Sequence, residues 1–204
     1  MIGVILAGGL STRFESEKAL HELDGKPFFH HVYDAMLGSQ LSQVVISTNQ
    51  KLALNIEQYC QTHQLNTKVI VDDTQYTNQG PLAGILSVMQ QVETDAYFVV
   101  SVDTPFITSE AINYLMNQYE TKKSLKLQID AIVYQDDTHI HRTIGIYKHT
   151  LKPVIQTALT QQNYALKVLT KDHVQFVDVS DVGEGIWYEN INTKNDLNRA
   201  LKRR

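Results

Sequence analysis

Two adjacent glycines followed by two cations stand near the start of the chain: Leu6-Ala7-Gly8-Gly9-Leu10-Ser11-Thr12-Arg13-Phe14, with Lys18 four residues later. Glycines lack Cβ, so backbone N–H groups can approach a ligand closely, and Arg13 and Lys18 can neutralise phosphate oxygens. Such a loop has the makings of a triphosphate cradle. The spacing is neither G-x-G-x-x-G nor G-x-x-x-x-G-K-[ST], because Lys18 is not followed by Ser or Thr in that frame; this argues against a dinucleotide cofactor and against P-loop hydrolysis. A plainer account of the same residues is a tight strand-to-helix turn that contains two glycines.

A carboxylate of the kind that binds a cation appears at Asp103, which follows the apolar run Tyr97-Phe98-Val99-Val100 and precedes Thr104-Pro105. Mg²⁺ prefers one or two carboxylates together with substrate phosphates and waters. An aspartate here could instead cap the turn before the next helix. An acidic pair, Asp72-Asp73, follows the run Val69-Ile70-Val71.

What must position these groups is an alternation of short β-branched runs with helical segments. The runs are Val4-Ile5-Leu6, Val44-Val45-Ile46, Val69-Ile70-Val71, Tyr97-Phe98-Val99-Val100, Ala131-Ile132-Val133 and Ile144-Gly145-Ile146-Tyr147. Between them, Leu82, Ile85, Leu86 and Met89 share one helix face, as do Ile112, Leu115, Met116 and Tyr119. The first helix starts after Gly80-Pro81, the second after Thr108-Ser109, and a last one near Thr193 carries Leu197, Ala200 and Leu201. This pattern predicts an α/β fold: a single Rossmann-like three-layer domain over residues 1–204 with a mostly parallel central sheet. Open parallel sheets bind ligands beyond the carboxyl ends of their strands. Four strands then deliver Ala7-Gly8-Gly9, Ser47-Thr48-Asn49, Asp72-Asp73 and Asp103-Thr104-Pro105 to one rim.

With 43% hydrophobic and 20% charged residues, the 204-residue chain is of globular composition. Its net charge of −4 gives no global attraction to nucleic acid or anionic lipid, so neither is an expected partner. The one cysteine, Cys60, permits no intramolecular disulfide and no cysteine-based zinc cluster. With no basic leader before Val4 and no apolar run near 18 residues, a cytoplasmic location is expected.

The segment Leu6-Ala7-Gly8-Gly9-x-Ser11-x-Arg13, then Lys18-Ala19-Leu20 and Leu23-x-Gly25-Lys26-Pro27, resembles the signature of NDP-sugar-pyrophosphorylase-like nucleotidyltransferases. Within that superfamily, Gly80-Pro81-Leu82-Ala83-Gly84, Asp103-Thr104-Pro105-Phe106 and Asn190-Ile191-Asn192-Thr193 are similar to the molybdenum cofactor guanylyltransferases, the MobA family. The resemblance spans nearly the whole chain. The opening motif is shared by enzymes using CTP, UTP or GTP, whereas its combination with Gly80 to Gly84 is more specific.

The resemblance implies an enzyme that transfers GMP from GTP to the terminal phosphate of molybdopterin, with or without molybdenum, releasing pyrophosphate. It implies Mg²⁺ as cofactor, GTP and molybdopterin as substrates, and other proteins of molybdenum cofactor biosynthesis as partners. Leu6, Ala7 and Gly8 would line the guanine and ribose side, with Gly9, Gly80 and Pro81 in the same GTP-contacting set. Lys18 and Arg13 would serve the phosphates and the chemistry, Asp73 the nucleotide, and Asp103 both the nucleotide and the metal. Asp73 is preferred to Asp72 for its distance to Gly80. The attacking phosphate monoester is already anionic near pH 7, so such a reaction needs positioning and charge neutralisation more than a general base. The chain departs from the family pattern at Glu15, where glycine is common, and at Arg142, where proline is common. Two other readings stay open: a cytidylyltransferase acting on molybdopterin or another phosphorylated small molecule, and a nucleotide-binding regulatory module without turnover.

Several conspicuous residues are read as structural. His139 and His141 beside Asp136 and Asp137 fit one face of a hairpin next to surface acids rather than a metal site. His30-His31 opens a helix, half core and half surface. Trp187 and Tyr188 are read as core or rim aromatics, Cys60 as a small core residue on a helix from about Leu52 to Gln61, and Lys202-Arg203-Arg204 as a solvated helix end.

Overall fold

The computed structural model describes residues 1–9, 14, 17–76 and 79–204. In chain order the elements are β1 (Ile2–Leu6), β2 (Glu22–Leu23), β3 (Lys26–Pro27), α1 (Phe28–Leu37), β4 (Gln43–Thr48), α2 (Gln50–Thr62), β5 (Lys68–Val71) and α3 (Pro81–Gln91). There follow β6 (Ala96–Ser101), α4 (Ser109–Ser124), β7 (Ala131–Gln135), β8 (Ile140–Lys148), α5 (Lys152–Thr160), β9 (Val174–Asp178) and α6 (Lys194–Leu201). Seven strands form one sheet in the order β5-β4-β1-β6-β8-β7-β9, and β2-β3 is a separate small hairpin.

Strands β5, β4, β1 and β6 pair in parallel, as the alternating apolar and helical segments predict. Strand β1 lies between β4 and β6 and is buried on both faces, which is why its sequence runs apolar without alternation. The order then departs from simple succession: β8 enters between β6 and β7 and is antiparallel to both, while β9 pairs in parallel with β7. The cause is local. Only residues 136–139 separate β7 from β8, too few for a crossover, so the two must form a hairpin. The sheet is therefore mostly parallel with one reversed strand.

Helices cover both faces. Ile5, Val44, Ile46, Phe98 and Val100 point to one side, where they pack with Phe29, Val32, Met36, Ile56, Ile112 and Leu115 of α1, α2 and α4. Val4, Leu6, Val45, Tyr97 and Val99 point to the other, against Leu82, Ile85, Leu86, Met89, Ile155 and Leu159 of α3 and α5. The period of two along each strand thus feeds two cores, and the three layers predicted from the sequence are present. Among the described residues no helix is long and apolar enough to cross a membrane.

Elements missed by the apolar-run analysis are the β2–β3 hairpin, α5 and β9. Helix α5 buries Ile155, Ala158 and Leu159 at i, i+3, i+4 spacing behind Pro153 in its first turn. A third, smaller core holds Phe14, Leu23, Phe28, Ile191, Leu197 and Ala200. It docks the C-terminal helix onto the small hairpin and onto Phe14 of the glycine-rich segment. Cys60 is buried on α2 as expected, His30 is buried while His31 is partly exposed, and Trp187 lies in the core edge-on to Tyr134. The C-terminal arginines are not simply solvated: Arg203 makes a two-pronged pair with Glu189, at 2.7 and 2.6 Å, and Arg204 pairs with Asp24.

Candidate functional site

The carboxyl ends of β1, β4, β5 and β6 converge on one rim. Beyond β1 the ladder continues one step on each side, with Ala7 N–H donating to Ser47 O at 2.7 Å and Val102 N–H to Leu6 O at 3.1 Å. Leu6 and Ala7 are thereby locked as the last buried residues before the loop. Asn49 then acts twice. Its Oδ1 caps α2 by accepting from Leu52 N–H at 3.1 Å, and its Nδ2 donates to Gly8 O at 2.9 Å. The capping residue of one helix therefore orients the first glycine of the loop. Arg13 and Glu15 lie outside the described residues.

Close packing around Gly8 and Gly84 brings Asp72 under this loop. A Cβ at Gly8 would stand 3.0 Å from Asp72 Oδ2, and one at Gly84 would stand 2.6 Å from Ser47 Oγ and 3.5 Å from Asp72 Oδ1. Helix α3 can approach the ends of β1 and β4 this closely only because Gly84 has no side chain. Ser47 Oγ donates to Asp72 Oδ1 at 2.8 Å. Burial pushes the Asp72 carboxyl up to about 6, against the smaller opposing effect of that hydroxyl. Asp73 is held differently: its backbone N–H donates to Ser87 Oγ at 2.9 Å and its Oδ1 accepts from Gln75 N–H at 2.9 Å. Both aspartates are half-buried, but the one whose carboxylate lies against Gly8 is Asp72. Strand alternation separates neighbouring side chains, and no spacing rule could tell which of the two would face the loop. Gly80 and Pro81 stand at the start of α3, as its N-cap and first residue.

At the end of β6, Asp103 meets Lys18. Asp103 Oδ2 lies 4.0 Å from Lys18 Nζ, and both side chains are largely buried. Lys18 Nζ also donates to Asn192 Oδ1 at 3.0 Å. The Asp103 carbonyl accepts from Ile191 N–H at 2.6 Å, and Thr104 Oγ1 donates to Asn190 Oδ1 at 3.3 Å. Asp103 Oδ1 is buried without a hydrogen-bond partner among the described residues. A buried carboxylate oxygen lacking a donor is an energetic cost that a bound cation would remove. Among the described residues no three His, Cys, Asp or Glu side chains come together to hold a metal. An ion at Asp103 would therefore take most of its ligands from phosphate and water, the coordination suited to Mg²⁺.

Beside Asn190 and Asn192 opens a cleft of about 960 Å³ between the start of β8 and the C-terminal segment. Arg142, Arg199, Lys202 and Arg203 line it, opposed by Asp136, Glu189 and Asp196. His141 forms part of its wall, with Nε2 2.8 Å from Asp136 Oδ2 and its ring edge-on to Tyr188. Hydrogen bonds from the Thr138 hydroxyl, and from nearby backbone N–H groups, hold the Asp136 carboxyl well below the usual carboxylate range. The pair closes a hairpin, and His139 is exposed beside it. Asn190, Asn192 and this cleft were not among the expected site residues. The available signal was the Asn-Ile-Asn-Thr segment, whose importance shows only when the C-terminal chain is seen against Lys18 and Asp103.

Residues 3–176 match the family described as MobA-like NTP transferase domain. Among solved structures, the chain is similar to molybdopterin-guanine dinucleotide biosynthesis protein A from Archaeoglobus fulgidus, with a TM-score of 0.75 and 21% identity over 99% of this chain and 97% of that one. It is similar to a CMP:2-keto-3-deoxy-manno-octonic acid synthetase complexed with CTP, with a TM-score of 0.73 and 16% identity over 97% and 95% of the two chains. It is also similar to Rv0371c from Mycobacterium tuberculosis in complex with manganese, with a TM-score of 0.69 and 13% identity over 98% and 97%. At these identities the three structures establish a shared fold.

Proposed function

The chain belongs to the MobA-like NTP transferase family and is a nucleotidyltransferase, and on that premise we propose that it transfers GMP from GTP to the terminal phosphate of molybdopterin. The observation that carries this reading is the convergence of Lys18, Asn192 and the unpartnered Asp103 Oδ1 beside the Gly8-Gly9 loop. That arrangement suits a triphosphate and a divalent cation better than it suits a capped turn. Guanine is preferred because the Gly80-Pro81-Leu82-Ala83-Gly84 segment is similar to that of the molybdenum cofactor guanylyltransferases.

In this reading the backbone of Leu6, Ala7, Gly8 and Gly9 borders the nucleoside, with Gly80 and Pro81 opposite and Asp73 and its neighbour Asp72 at the edge. Lys18 faces the phosphates, Arg13 is proposed to join it there, and Asp103 would hold Mg²⁺. The metal, when bound, supplies positive charge to phosphate oxygens. The acceptor occupies the cleft beyond Asn190 and Asn192, where Arg142 and Lys202, outside the Arg199–Asp196 and Arg203–Glu189 pairs, match an anionic substrate. An oxygen of the acceptor phosphate attacks the α-phosphorus, a new P–O bond forms, and the bond to the β-phosphate oxygen breaks with release of pyrophosphate. The acceptor oxygen is anionic near neutral pH, so the residues supply orientation and charge rather than a base. Lys18, held between Asp103 and Asn192, is placed to stabilise charge as it moves to the leaving group.

A thermal-shift panel of GTP, CTP, UTP and ATP with Mg²⁺ tests the base. Ligand at one hundred times its Kd stabilises the native state by about 2.7 kcal/mol. For a domain of this length each kcal/mol raises Tm by about 2–4 °C. GTP is expected to give the largest shift. An equal or larger shift with CTP would replace the guanylyl reading with the cytidylyl one, and binding without pyrophosphate release on adding molybdopterin would favour a regulatory module.

A further inference from the structure

We propose that Asp196, in the first turn of the C-terminal helix, is a positioning residue that sets Lys18 against Asp103 through Asn192. The family match ends at residue 176, so this helix and the segment before it lie outside the matched region. The inference rests on the reading of Lys18 as a phosphate-binding group, and is independent of which base or acceptor is used.

The connection is a short series of hydrogen bonds. Asp196 stands three residues after the N-cap Thr193, and the two form a reciprocal cap: Thr193 Oγ1 accepts from Asp196 N–H at 3.1 Å, and Asp196 Oδ2 accepts from Thr193 N–H at 2.8 Å. The same Oδ2 accepts from Asn192 N–H at 3.1 Å. One carboxylate oxygen therefore fixes two consecutive backbone N–H groups, the first belonging to the residue whose side-chain oxygen accepts from Lys18 Nζ at 3.0 Å. Upstream, Ile191 N–H is tied to the Asp103 carbonyl and the Ile191 side chain is buried in the third core with Leu197 and Ala200. The segment 191–193 is thus pinned at both ends. Without the Asp196 end, Asn192 could rotate away while Ile191 stayed in place. Arg199 pairs with the other oxygen, Asp196 Oδ1, and leaves Oδ2 to the two N–H groups.

A helix cap that served only to stabilise α6 would have no need to reach the N–H of the residue before the N-cap. Here that extra bond lands on the residue that touches Lys18, and Lys18 Nζ is in turn 4.0 Å from Asp103 Oδ2. A lysine amine on four flexible methylenes holds one position only if fixed groups hold it there, and Asn192 is such a group once its backbone is fixed.

The test uses the full-length chain and a probe that carries neither base nor acceptor: inorganic tripolyphosphate with Mg²⁺, measured by calorimetry well below the melting temperature of each variant. Asp196→Ala is expected to weaken tripolyphosphate binding about tenfold, and Asn192→Ala by a similar factor. The double variant should be no weaker than Asn192→Ala alone, since the first residue acts through the second. Asp196→Glu, which can rebuild the reciprocal cap, should restore most of the affinity. Should Asp196→Ala fail to fold, Asp196→Ser, whose shorter side chain cannot span both N–H groups, is measured in the same cycle with Asn192→Ala and is expected to show the same loss. Unchanged affinity in the folded variant that removes the Asp196 carboxylate, losses that multiply in the double variant, or no tripolyphosphate binding by the wild type would each overturn the inference. A chain that binds tripolyphosphate with the expected coupling but shows no preference for GTP would instead retain the inference and refute the guanylyl reading.

Discussion

Asp72 offers a stability experiment whose size follows from the structure. Its carboxyl is displaced from an ordinary value of 3.8 to about 6, first by burial, with Ser47 acting in the opposite sense. Because the folded value is raised, the native state binds the extra proton between those two values. Stability is thus lost as pH rises through the window and the loss is complete above about pH 7. A displacement of about two pH units at ~1.4 kcal/mol each amounts to about 3 kcal/mol of ionisation penalty in the native state near neutrality. Asp72→Asn removes the ionisation and keeps an oxygen to accept from Ser47 Oγ. Urea unfolding of both proteins from pH 4 to 7.5 isolates the effect, since other titrating groups contribute equally to each. The variant should gain little at pH 4 and about 2–3 kcal/mol at pH 7.5. At the upper pH that is an increase in Tm of about 5–10 °C. A difference between variant and wild type that stays flat across this range would refute the argument, showing that the Asp72 carboxylate is solvated in the native state.

Asp103→Asn should leave the ligand-free melting temperature unchanged or slightly raised, because the amide can still occupy the site, while pyrophosphate release falls steeply and its Mg²⁺ dependence weakens; wild-type turnover with an unaltered Mg²⁺ titration would remove Asp103 as the metal-holding residue. Lys18→Ala should raise the barrier by about 2–4 kcal/mol, as loss of one preorganised electrostatic group does, seen as a fall in kcat/KM, and should also cost stability on the order of 1 kcal/mol by leaving the largely buried Asp103 without its cation. Gly84→Ala should destabilise by about 1–3 kcal/mol in denaturant titration, since its Cβ would meet Ser47 Oγ at 2.6 Å and Leu6 Cδ2 at 3.2 Å. An unchanged midpoint would mean that α3 moves away from the strand ends at no cost.

Much of the scaffold was legible because it depends on local periodicity. The apolar runs at residues 4–6, 44–46, 69–71 and 97–100 became the parallel half of the sheet, and the i, i+3, i+4, i+7 stripes of α3 and α4 turned inward as their spacing requires. The end of each such strand is also local knowledge, so Gly8, Asp72-Asp73 and Asp103 could be assigned to one rim from the order of residues alone. The motifs around Gly8, Lys18 and Gly80 led to the family in the same way. What sequence order does not contain is which distant segments meet. The reversal of β8 between β6 and β7 was within reach of the short 136–139 turn, but its pairing with β6 depends on long-range hydrogen bonds. Which of Asp72 and Asp73 lies against Gly8 depends on how closely α3 packs against Ser47, a property of the assembled core rather than of either residue. Asn192 reaches Lys18 across 174 residues of chain, and Arg204 reaches Asp24 across 180. Local propensity carries no information about such contacts. They form because Ile191, Leu197 and Ala200 bury themselves against Phe14, Leu23 and Phe28, and that burial, together with the bond from Ile191 N–H to the Asp103 carbonyl, carries the C-terminal segment into the site.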